Sequence, residues 1–239
     1  MILCAGFGTR LEGLTKNCPK PMLPIGGKPL LEHTLVYLKQ NGIDEFVINL
    51  HFLADQITSY FGNGKKWGIK IDYSFEEAPL GTAGAVKNVE KYFALEKSFL
   101  VFYGDVFARS NLKELLSEHQ KHSYPAATIF LHERKKSNSV VEMNSDGLIE
   151  KFIERPAVPI LEKKQNWVNS GIYCFSPRIF DCIESRAVVD FPKDVFGKLL
   201  EKKLLYGVPH KGYRCAVDSK ERYDQLLNDY QEKNCEPSL

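Results

Sequence analysis

The stretch Met1-Ile2-Leu3-Cys4-Ala5-Gly6-Phe7-Gly8-Thr9-Arg10-Leu11 decides how this chain folds, because a short apolar strand runs directly into a glycine-containing loop. Gly6 and Gly8 have no Cβ, so the backbone can turn tightly there and bring its N–H groups against an anionic ligand. Arg10 and Lys20 follow the loop. A guanidinium grips phosphate oxygens in a bidentate way, and an ammonium acts as a compact point charge. The pattern therefore predicts a site for a nucleoside triphosphate after the first strand.

Two common nucleotide-binding motifs do not account for this loop. The sequence has no GxxxxGK[ST] run, which argues against a P-loop. A dinucleotide-binding fingerprint requires a third glycine at position 11, where Leu11 stands, and a direct passage into a helix. Here a long loop with three prolines comes first, and the first helix is predicted from Pro29. A glycine-containing turn can also be only a turn, and the two cations at set distances are what favour a binding site.

Composition excludes several classes of protein. The chain has 239 residues and 44% hydrophobic content, which is enough for a substantial core. Its net charge of +2 is the difference between 32 basic and 30 acidic residues, so no broad electrostatic footprint for nucleic acid is present. The six cysteines have no zinc-ligand spacing, and no apolar run reaches the roughly 20 residues of a membrane span. We also expect that no signal peptide precedes the cysteines. We expect a cytoplasmic protein with reduced thiols and no membrane partner.

Apolar strand-like runs alternate with helical periodicity through the first half of the chain, which predicts βαβ units and a mostly parallel sheet. Helices are predicted over residues 30–41, 54–61 and 82–92, and strands over residues 46–50, 69–75 and 99–102. The last of these strands delivers Gly104 and Asp105 at its carboxyl end. Ligands in open α/β sheets bind outside the carboxyl ends of the strands, so the glycine loop and Asp105 are expected to meet there.

The middle of the chain changes character. Strands are predicted over residues 127–131, 140–142, 149–153 and 167–175, separated by turns such as Asn144-Ser145-Asp146-Gly147. The predicted fold class is therefore α/β: a Rossmann-like, mixed and mostly parallel sheet flanked by helices, with a smaller β-rich lobe.

Further motifs extend the pattern of the first loop along nearly the whole chain. They are Pro19-Lys20-Pro21-Met22, Lys28-Pro29, and residues 79–85 (PLGTAGA), 103–105 (YGD), 154–156 (ERP), 168–173 (VNSGIY) and 193–196 (KDVF). With them the chain resembles the sugar-1-phosphate nucleotidylyltransferases, especially the bacterial mannose-1-phosphate and D-glycero-D-manno-heptose-1-phosphate guanylyltransferases. The resemblance implies a glycosyltransferase-A-like fold in one domain, residues 1–239. Its residues 1–123 would be the nucleotide-binding portion, and residues 124–239 the sugar-binding portion with the closing helices.

The resemblance also implies a reaction. A nucleoside monophosphate would pass from a nucleoside triphosphate to a sugar 1-phosphate, giving a nucleotide sugar for cell-surface polysaccharide and releasing pyrophosphate. GTP is favoured as donor, with a mannose or manno-heptose phosphate as acceptor. Uridylyl, thymidylyl or cytidylyl transfer to another phosphorylated acceptor stays open, because the relatives share much of the motif.

The implied site residues fall into two sets. The nucleotide-binding set comprises Leu3, Ala5, Gly6, Gly8, Thr9, Arg10, Lys20, Glu77, Pro79, Gly81 and Thr82. The set that binds the sugar phosphate comprises Gly104, Ser139, Glu154, Arg155, Asn169 and Lys193. Arg10, Lys20 and Asp105 are predicted to be catalytic, and Gly81 is expected to let the base approach closely.

A magnesium ion is the implied cofactor. A carboxylate such as Asp105 is a hard oxygen ligand that suits Mg²⁺ bridging phosphates. The resemblance places the second ligand at Asp218, which ends a predicted strand before a helix capped around Ser219. The alternative for Asp218 is a helix cap only. Ser219 and Lys220 stand where the family usually has Gly-Thr, which weakens this assignment.

Two positions depart from the family pattern in the predicted acceptor site. Arg155 stands where Lys is usual, and Asn138-Ser139 stand where many relatives have Tyr-Gly. Arg keeps the charge but differs from Lys in reach and geometry, so an unusual sugar is indicated, with neutral drift as the alternative. A second hypothesis is a catalytically silent, regulatory pyrophosphorylase-like subunit, against which Arg10, Lys20 and Asp105 stand. Family likeness also suggests a homodimer.

Overall fold

The computed structural model describes residues 1–11, 13–123, 125–134, 139–156, 165–185 and 188–232. The chain forms two compact units, each built from separate segments. Unit 1 comprises Met1–Pro79, Phe102–Ser110 and Gly212–Leu239, and unit 2 comprises Leu80–Val101 and Asn111–Lys211. The division of function between residues 1–123 and 124–239 stays a prediction.

The described part of the chain contains strands β1 to β13 and helices α1 to α6. The strands are β1 (Ile2–Leu3), β2 (Pro24–Ile25), β3 (Lys28–Pro29), β4 (Glu45–Leu50), β5 (Lys70–Phe75), β6 (Phe99–Tyr103), β7 (Val106–Ser110), β8 (Ala127–Glu133), β9 (Val140–Met143), β10 (Ile149–Ile153), β11 (Trp167–Phe175), β12 (Leu205–Pro209) and β13 (Gly212–Ala216). The helices are α1 (Leu30–Gln40), α2 (Ala54–Phe61), α3 (Gly81–Asn88), α4 (Leu112–Lys121), α5 (Phe196–Glu201) and α6 (Lys220–Gln231).

Unit 1 is built on parallel strands. β1 lies between the last two residues of β6 and strand β4, and β5 pairs with the other edge of β4, all in parallel. Ile2 at the centre is fully buried, and β4 is buried from Phe46 to Leu50, as the sides of a covered parallel sheet must be. The predicted parallel α/β arrangement is confirmed.

β1 is shorter than the apolar run of residues 1–5 predicts. The backbone N–H of Cys4 donates to the side-chain oxygen of Asn49 at 2.8 Å instead of continuing the ladder. The chain therefore leaves the sheet before the glycine loop begins.

A second layer of unit 1 joins distant segments of the chain. β7 and β13 form an antiparallel pair, with Val106 opposite Ala216, and β2 and β3 form a small hairpin. The Tyr223 hydroxyl of α6 donates to the Pro24 carbonyl at 2.6 Å. These elements share a core of Leu11, Leu23, Ile25, Leu30, Phe107, Cys215, Val217, Tyr223 and Leu226.

Unit 2 contains the β-rich part that the sequence predicts. Its strands lie in the order β10-β9-β11-β8-β12, and the β8–β12 pair is parallel while the others are antiparallel. Its core is rich in aromatic side chains, with Phe175 and Phe191 at a centroid distance of 4.7 Å. The helix predicted over residues 82–92 is α3 followed by a 3₁₀ turn, Glu90–Tyr92.

Two further expectations concern the chain as a whole. The cysteines that the structure describes carry free thiols, and Cys235 lies outside the described residues. Among the described helices, we find none with the length and apolar character that crossing a membrane requires.

Candidate active site

The glycine loop turns sharply at Gly8. Its φ of +68° is a backbone conformation that residues with a Cβ rarely adopt. The Gly8 carbonyl accepts hydrogen bonds from the N–H of Leu11 and the hydroxyl of Thr15, both at 3.0 Å. Gly6 differs, because its φ is ordinary and a Cβ there would meet open space. Of Gly6 and Gly8, it is therefore Gly8 that requires glycine for its backbone conformation.

Lys20 and Asp105 meet in unit 1. Lys20 begins a 3₁₀ turn after Pro19, and its Nζ donates to Asp105 Oδ2 at 3.0 Å. The lysine side chain is only 13% exposed, so water and salt weaken the attraction within this pair less than in a surface ion pair. The predicted cation at the loop and the predicted carboxylate after β6 are thus brought together.

Arg10 and Asp218 form a second ion pair, which a backbone hydrogen bond connects to Asp105. The backbone N–H of Val217 donates to the Asp105 carbonyl at 2.8 Å, one residue beyond the end of the β7–β13 ladder. Asp218 is the next residue after Val217. Arg10 Nη1 is 4.0 Å from Asp218 Oδ2, and its side chain is 61% exposed. The guanidinium is therefore held loosely by Asp218 and stays open to solvent.

Asp218 does not cap α6. The N-cap of that helix is Ser219, whose hydroxyl accepts a hydrogen bond from the N–H of Arg222. Asp218 instead forms ion pairs with Arg10 and with Arg222, whose Nε is 3.7 Å from Asp218 Oδ1. The structure therefore removes the capping alternative, while the metal-binding role stays a prediction.

The residues around Asp105 and Asp218 suit a hard cation that keeps several waters. Asp105 comes just before β7 and Asp218 just after β13, at the same end of this antiparallel pair, and their carboxylates give oxygen ligands of the kind Mg²⁺ takes. Within the described residues, no group of three or more His, Cys, Asp or Glu is arranged to hold a metal ion, so any ion here would rely on water and phosphate for its remaining ligands.

A buried polar network fixes the ends of β1, β4 and β5. Asn49 accepts from the Cys4 N–H and donates to Glu76 Oε1, both at 2.8 Å. His51 Nδ1 lies 2.8 Å from the Glu76 carbonyl. Burial and the nearby charge of Asp105 raise the pKa of the Cys4 thiol, so this cysteine stays protonated. Sequence reasoning missed Asn49 and Glu76; a polar residue inside an apolar strand was the available signal.

The last four residues of the predicted nucleotide-binding set belong to different units, with Glu77 and Pro79 in unit 1 and Gly81 and Thr82 in unit 2. Gly81 has φ +77°, and a Cβ there would lie 2.5 Å from the Val189 carbonyl oxygen. The close approach that the structure displays at Gly81 is thus to the backbone of Val189, and an approach by the base stays a prediction.

Thr82 is held by Asp190, which sequence reasoning missed. The N–H and the hydroxyl of Thr82 both contact Asp190 Oδ1 at 3.1 Å. The Thr82 hydroxyl also accepts from the N–H of Phe191 at 2.9 Å. These partners lie more than a hundred positions away along the chain, so no local pattern could have revealed them.

Ser139, Glu154 and Arg155 of the predicted acceptor set are in direct contact in unit 2. The Ser139 hydroxyl accepts from the Arg155 N–H at 3.0 Å, and Arg155 Nε lies 3.4 Å from Glu154 Oε1. Burial raises the pKa of Glu154, against the opposing effects of Arg155, the Ser139 hydrogen bond and Arg134. Asn138, the other departure, lies outside the described residues.

The remaining acceptor residues are placed separately. Asn169 lies at a β-bulge of β11, where its amide donates to the Tyr173 hydroxyl and accepts from the Gly171 N–H. Lys193 is exposed in a π-helical turn, Phe191–Val195. Gly104 belongs to unit 1, where its N–H donates to the Leu3 carbonyl at 2.8 Å. The sugar-binding roles of these residues stay predictions.

Comparison with known proteins identifies close relatives of this chain. A UTP–glucose-1-phosphate uridylyltransferase from Synechocystis is 36% identical over 217 residues, covering 85% of this chain and 55% of that protein. A mannose-1-phosphate guanyltransferase from Candida albicans is 33% identical over 219 residues, covering 89% of this chain and 59% of that protein. The chain thus spans less than two thirds of the length of these curated relatives.

Solved structures with a similar fold are also found. HddC from Yersinia pseudotuberculosis matches with a TM-score of 0.79 and 25% identity, covering 96% of this chain and 97% of that one. Another structure of HddC is complexed with GMP-PN. The sequence model of the nucleotidyl transferase family matches residues 1–215, a range that includes every predicted site residue except Asp218. This chain therefore belongs to the nucleotidyl transferase family.

Proposed function

We propose that this protein transfers a nucleoside monophosphate from a nucleoside triphosphate to a sugar 1-phosphate, releasing pyrophosphate. The observation that carries the proposal is the ion pair between Lys20 and Asp105, which the Val217–Asp105 hydrogen bond connects to the Arg10–Asp218 pair. Two cations and a sharp glycine turn in one unit suit the charge of a polyphosphate, and the two carboxylates would hold the metal ion that accompanies it. The names of the curated relatives support the same reaction class.

The reaction is a direct displacement. A phosphate oxygen of the sugar 1-phosphate forms a bond to the α-phosphorus, and the bond from that phosphorus to the bridging oxygen of pyrophosphate breaks. The nucleophile is already an anion, so no residue has to remove a proton. Catalysis consists of alignment and of neutralising charges that would repel one another.

The chain's own residues divide this work. Arg10, which is mostly exposed, is free to grip the α-phosphate through its guanidinium fork. Lys20 supplies a point charge to the phosphates and keeps Asp105 in place. Asp105 and Asp218 would hold Mg²⁺, which when bound neutralises charge on the phosphates. Glu154 and Arg155 are the proposed contacts for the sugar and its phosphate.

We favour GTP and a mannose-type acceptor. The Candida albicans relative is named for that pair, and HddC has been crystallised with GMP-PN. The Synechocystis relative is named for UTP and glucose 1-phosphate, so the donor must be tested directly. A cytoplasmic location, a homodimer and a heptose acceptor stay predictions from the sequence.

The test is pyrophosphate release. GTP, UTP, dTTP and CTP would each be mixed with mannose, glucose, N-acetylglucosamine and manno-heptose 1-phosphates, with and without Mg²⁺. We expect the highest rate with GTP and mannose or heptose 1-phosphate, and no release without the metal ion. No release with any pair would contradict the proposal and favour a regulatory subunit.

Arg10→Ala tests the proposed role of Arg10 in the same pyrophosphate-release assay. Because the side chain is exposed, we expect an unchanged melting temperature and a loss of ~2.7–4 kcal/mol of transition-state stabilisation, which is about 10²–10³ in rate. Lys16→Ala, which removes another exposed cation from the same loop, serves as control and should retain full activity. Normal turnover by Arg10→Ala would refute the role of Arg10.

A further inference from the structure

Ser139 and Glu154 lie next to each other at the open end of the β9–β10 hairpin. The antiparallel ladder places Ile153 opposite Val140, so residues 139 and 154 face each other one position beyond it. Ser139 is buried, with 5% of its surface exposed. A small polar side chain is therefore enclosed at the point where Glu154 and Arg155 leave the sheet.

The Ser139 hydroxyl serves both of these residues. It accepts a hydrogen bond from the Arg155 N–H at 3.0 Å, and it also hydrogen-bonds the Glu154 carboxylate. A hydroxyl can accept one hydrogen bond while it donates another. Alanine or glycine at position 139 would remove both contacts at once.

Arg155 adopts a backbone conformation that needs support. Its φ is +46°, in the left-handed region that residues with a Cβ rarely occupy. The hydrogen bond from its N–H to Ser139 holds this conformation, in which the guanidinium reaches back to Glu154. At the same time 66% of the Arg155 side chain is exposed, so the cation can still meet an anion from solution.

We propose that Ser139 is a positioning residue that presents Glu154 and Arg155 as one unit to the phosphorylated acceptor. This inference rests on the proposed function and adds the claim that Ser139 and Arg155 depend on each other. The two positions that depart from the family pattern are thus joined by a hydrogen bond. Serine at 139 fixes the backbone from which the side chain at 155 extends.

Steady-state kinetics with GTP and mannose 1-phosphate test the dependence. We expect Ser139→Ala to raise KM for mannose 1-phosphate about tenfold, as the loss of a hydrogen bond to a charged group does, and to leave KM for GTP and kcat within about twofold. Arg155→Lys should raise the same KM. The double variant should be no worse than the more damaging single variant, because coupled residues are not additive.

Ser176→Ala is the matched control. The Ser176 hydroxyl makes a similar part-buried contact in the same unit, donating to the Pro125 carbonyl at 2.8 Å just beyond the last residue of β11. It should cost comparable thermal stability without changing KM for mannose 1-phosphate. An unchanged acceptor KM in Ser139→Ala, or strictly additive effects of the two substitutions, would overturn the proposal.

A second measurement does not depend on turnover. Carboxyl NMR of the full chain should show a higher pKa for Glu154 in Ser139→Ala than in the wild type, because a donor to the carboxylate is lost while Arg134 and Arg155 remain. Ser176→Ala should leave it unchanged. An unmoved Glu154 pKa in Ser139→Ala would also overturn the proposal. If the wild type releases no pyrophosphate at all, the proposed function fails, and this titration still decides the role of Ser139.

Discussion

At the scale of single residues, residue type and spacing predicted some of the candidate site residues but not the residues that contact them. Gly8, Arg10 and Lys20 could be grouped as a predicted phosphate site because phosphate binding would require their properties near one another in sequence. Thr82 illustrates the opposite case. Its side chain is typical of a binding residue, yet it is hydrogen-bonded to Asp190, a partner that only the tertiary fold brings near.

Gly81 allows a test at this scale. Alanine there would combine a φ of +77° with a contact of 2.5 Å to the Val189 carbonyl oxygen. We expect Gly81→Ala to lower the free energy of unfolding by more than about 1 kcal/mol in urea titrations. Gly197→Ala is the control, because Gly197 lies in α5 with open space around it and should gain about 0.5–1 kcal/mol. Equal stability of the two variants would refute this explanation.

At the scale of elements, periodicity predicted most of the strands and helices, and α2 begins and ends at the predicted residues. The exceptions arise where side chains replace backbone partners. Asn49 ends β1 early, and the Asn169 amide accommodates a bulge in β11. Such contacts depend on the register between strands that are distant in the sequence, and the periodicity of a single strand carries no information about that register.

Two neighbouring residues at the start of α6 have different roles: Ser219 caps the helix, and Asp218 is a predicted metal ligand. Ser219→Ala removes the cap and should lower the free energy of unfolding by about 0.5–2 kcal/mol. Asn111→Ala, which removes the side-chain cap of α4, should cost a similar amount and keep full activity. Asp218→Asn should retain near-normal stability and lose turnover. A large stability loss in Asp218→Asn with normal turnover would show that Asp218 has a structural role only.

At the scale of the whole molecule, the sequence predicted the α/β class, whereas the pairing of distant segments that defines the two units is seen only in the structure. β7 and β13 come from distant segments and pair within unit 1. A change of composition near residue 124 marks where β-rich sequence begins, whereas the units are defined by contacts between segments that are far apart in the chain. Composition along a sequence cannot report such pairing.

The pH dependence of stability is also a property of the whole molecule. Burial lowers the pKa of His119 from 6.5 to about 4, and His119 Nδ1 lies 2.9 Å from the Thr128 hydroxyl. Between these two pH values the unfolded chain binds a proton that the folded chain does not, so stability falls as pH drops from about 6.5 to 4. We expect His119→Gln to reduce the loss of unfolding free energy between pH 6.5 and 4 by about 2–3 kcal/mol, measured by urea unfolding at several pH values. Parallel pH curves for wild type and variant would contradict it.

The discontinuous make-up of unit 1 has a consequence for how the protein is made. β7 and the loop with Arg10 leave the ribosome long before β13 and Asp218 do. During translation β7 lacks its antiparallel partner and Lys20 and Asp105 lack the Val217 segment beside them. We therefore expect nascent chains that stop before β13 to be incapable of retaining nucleotide, whatever structure their earlier segments have reached.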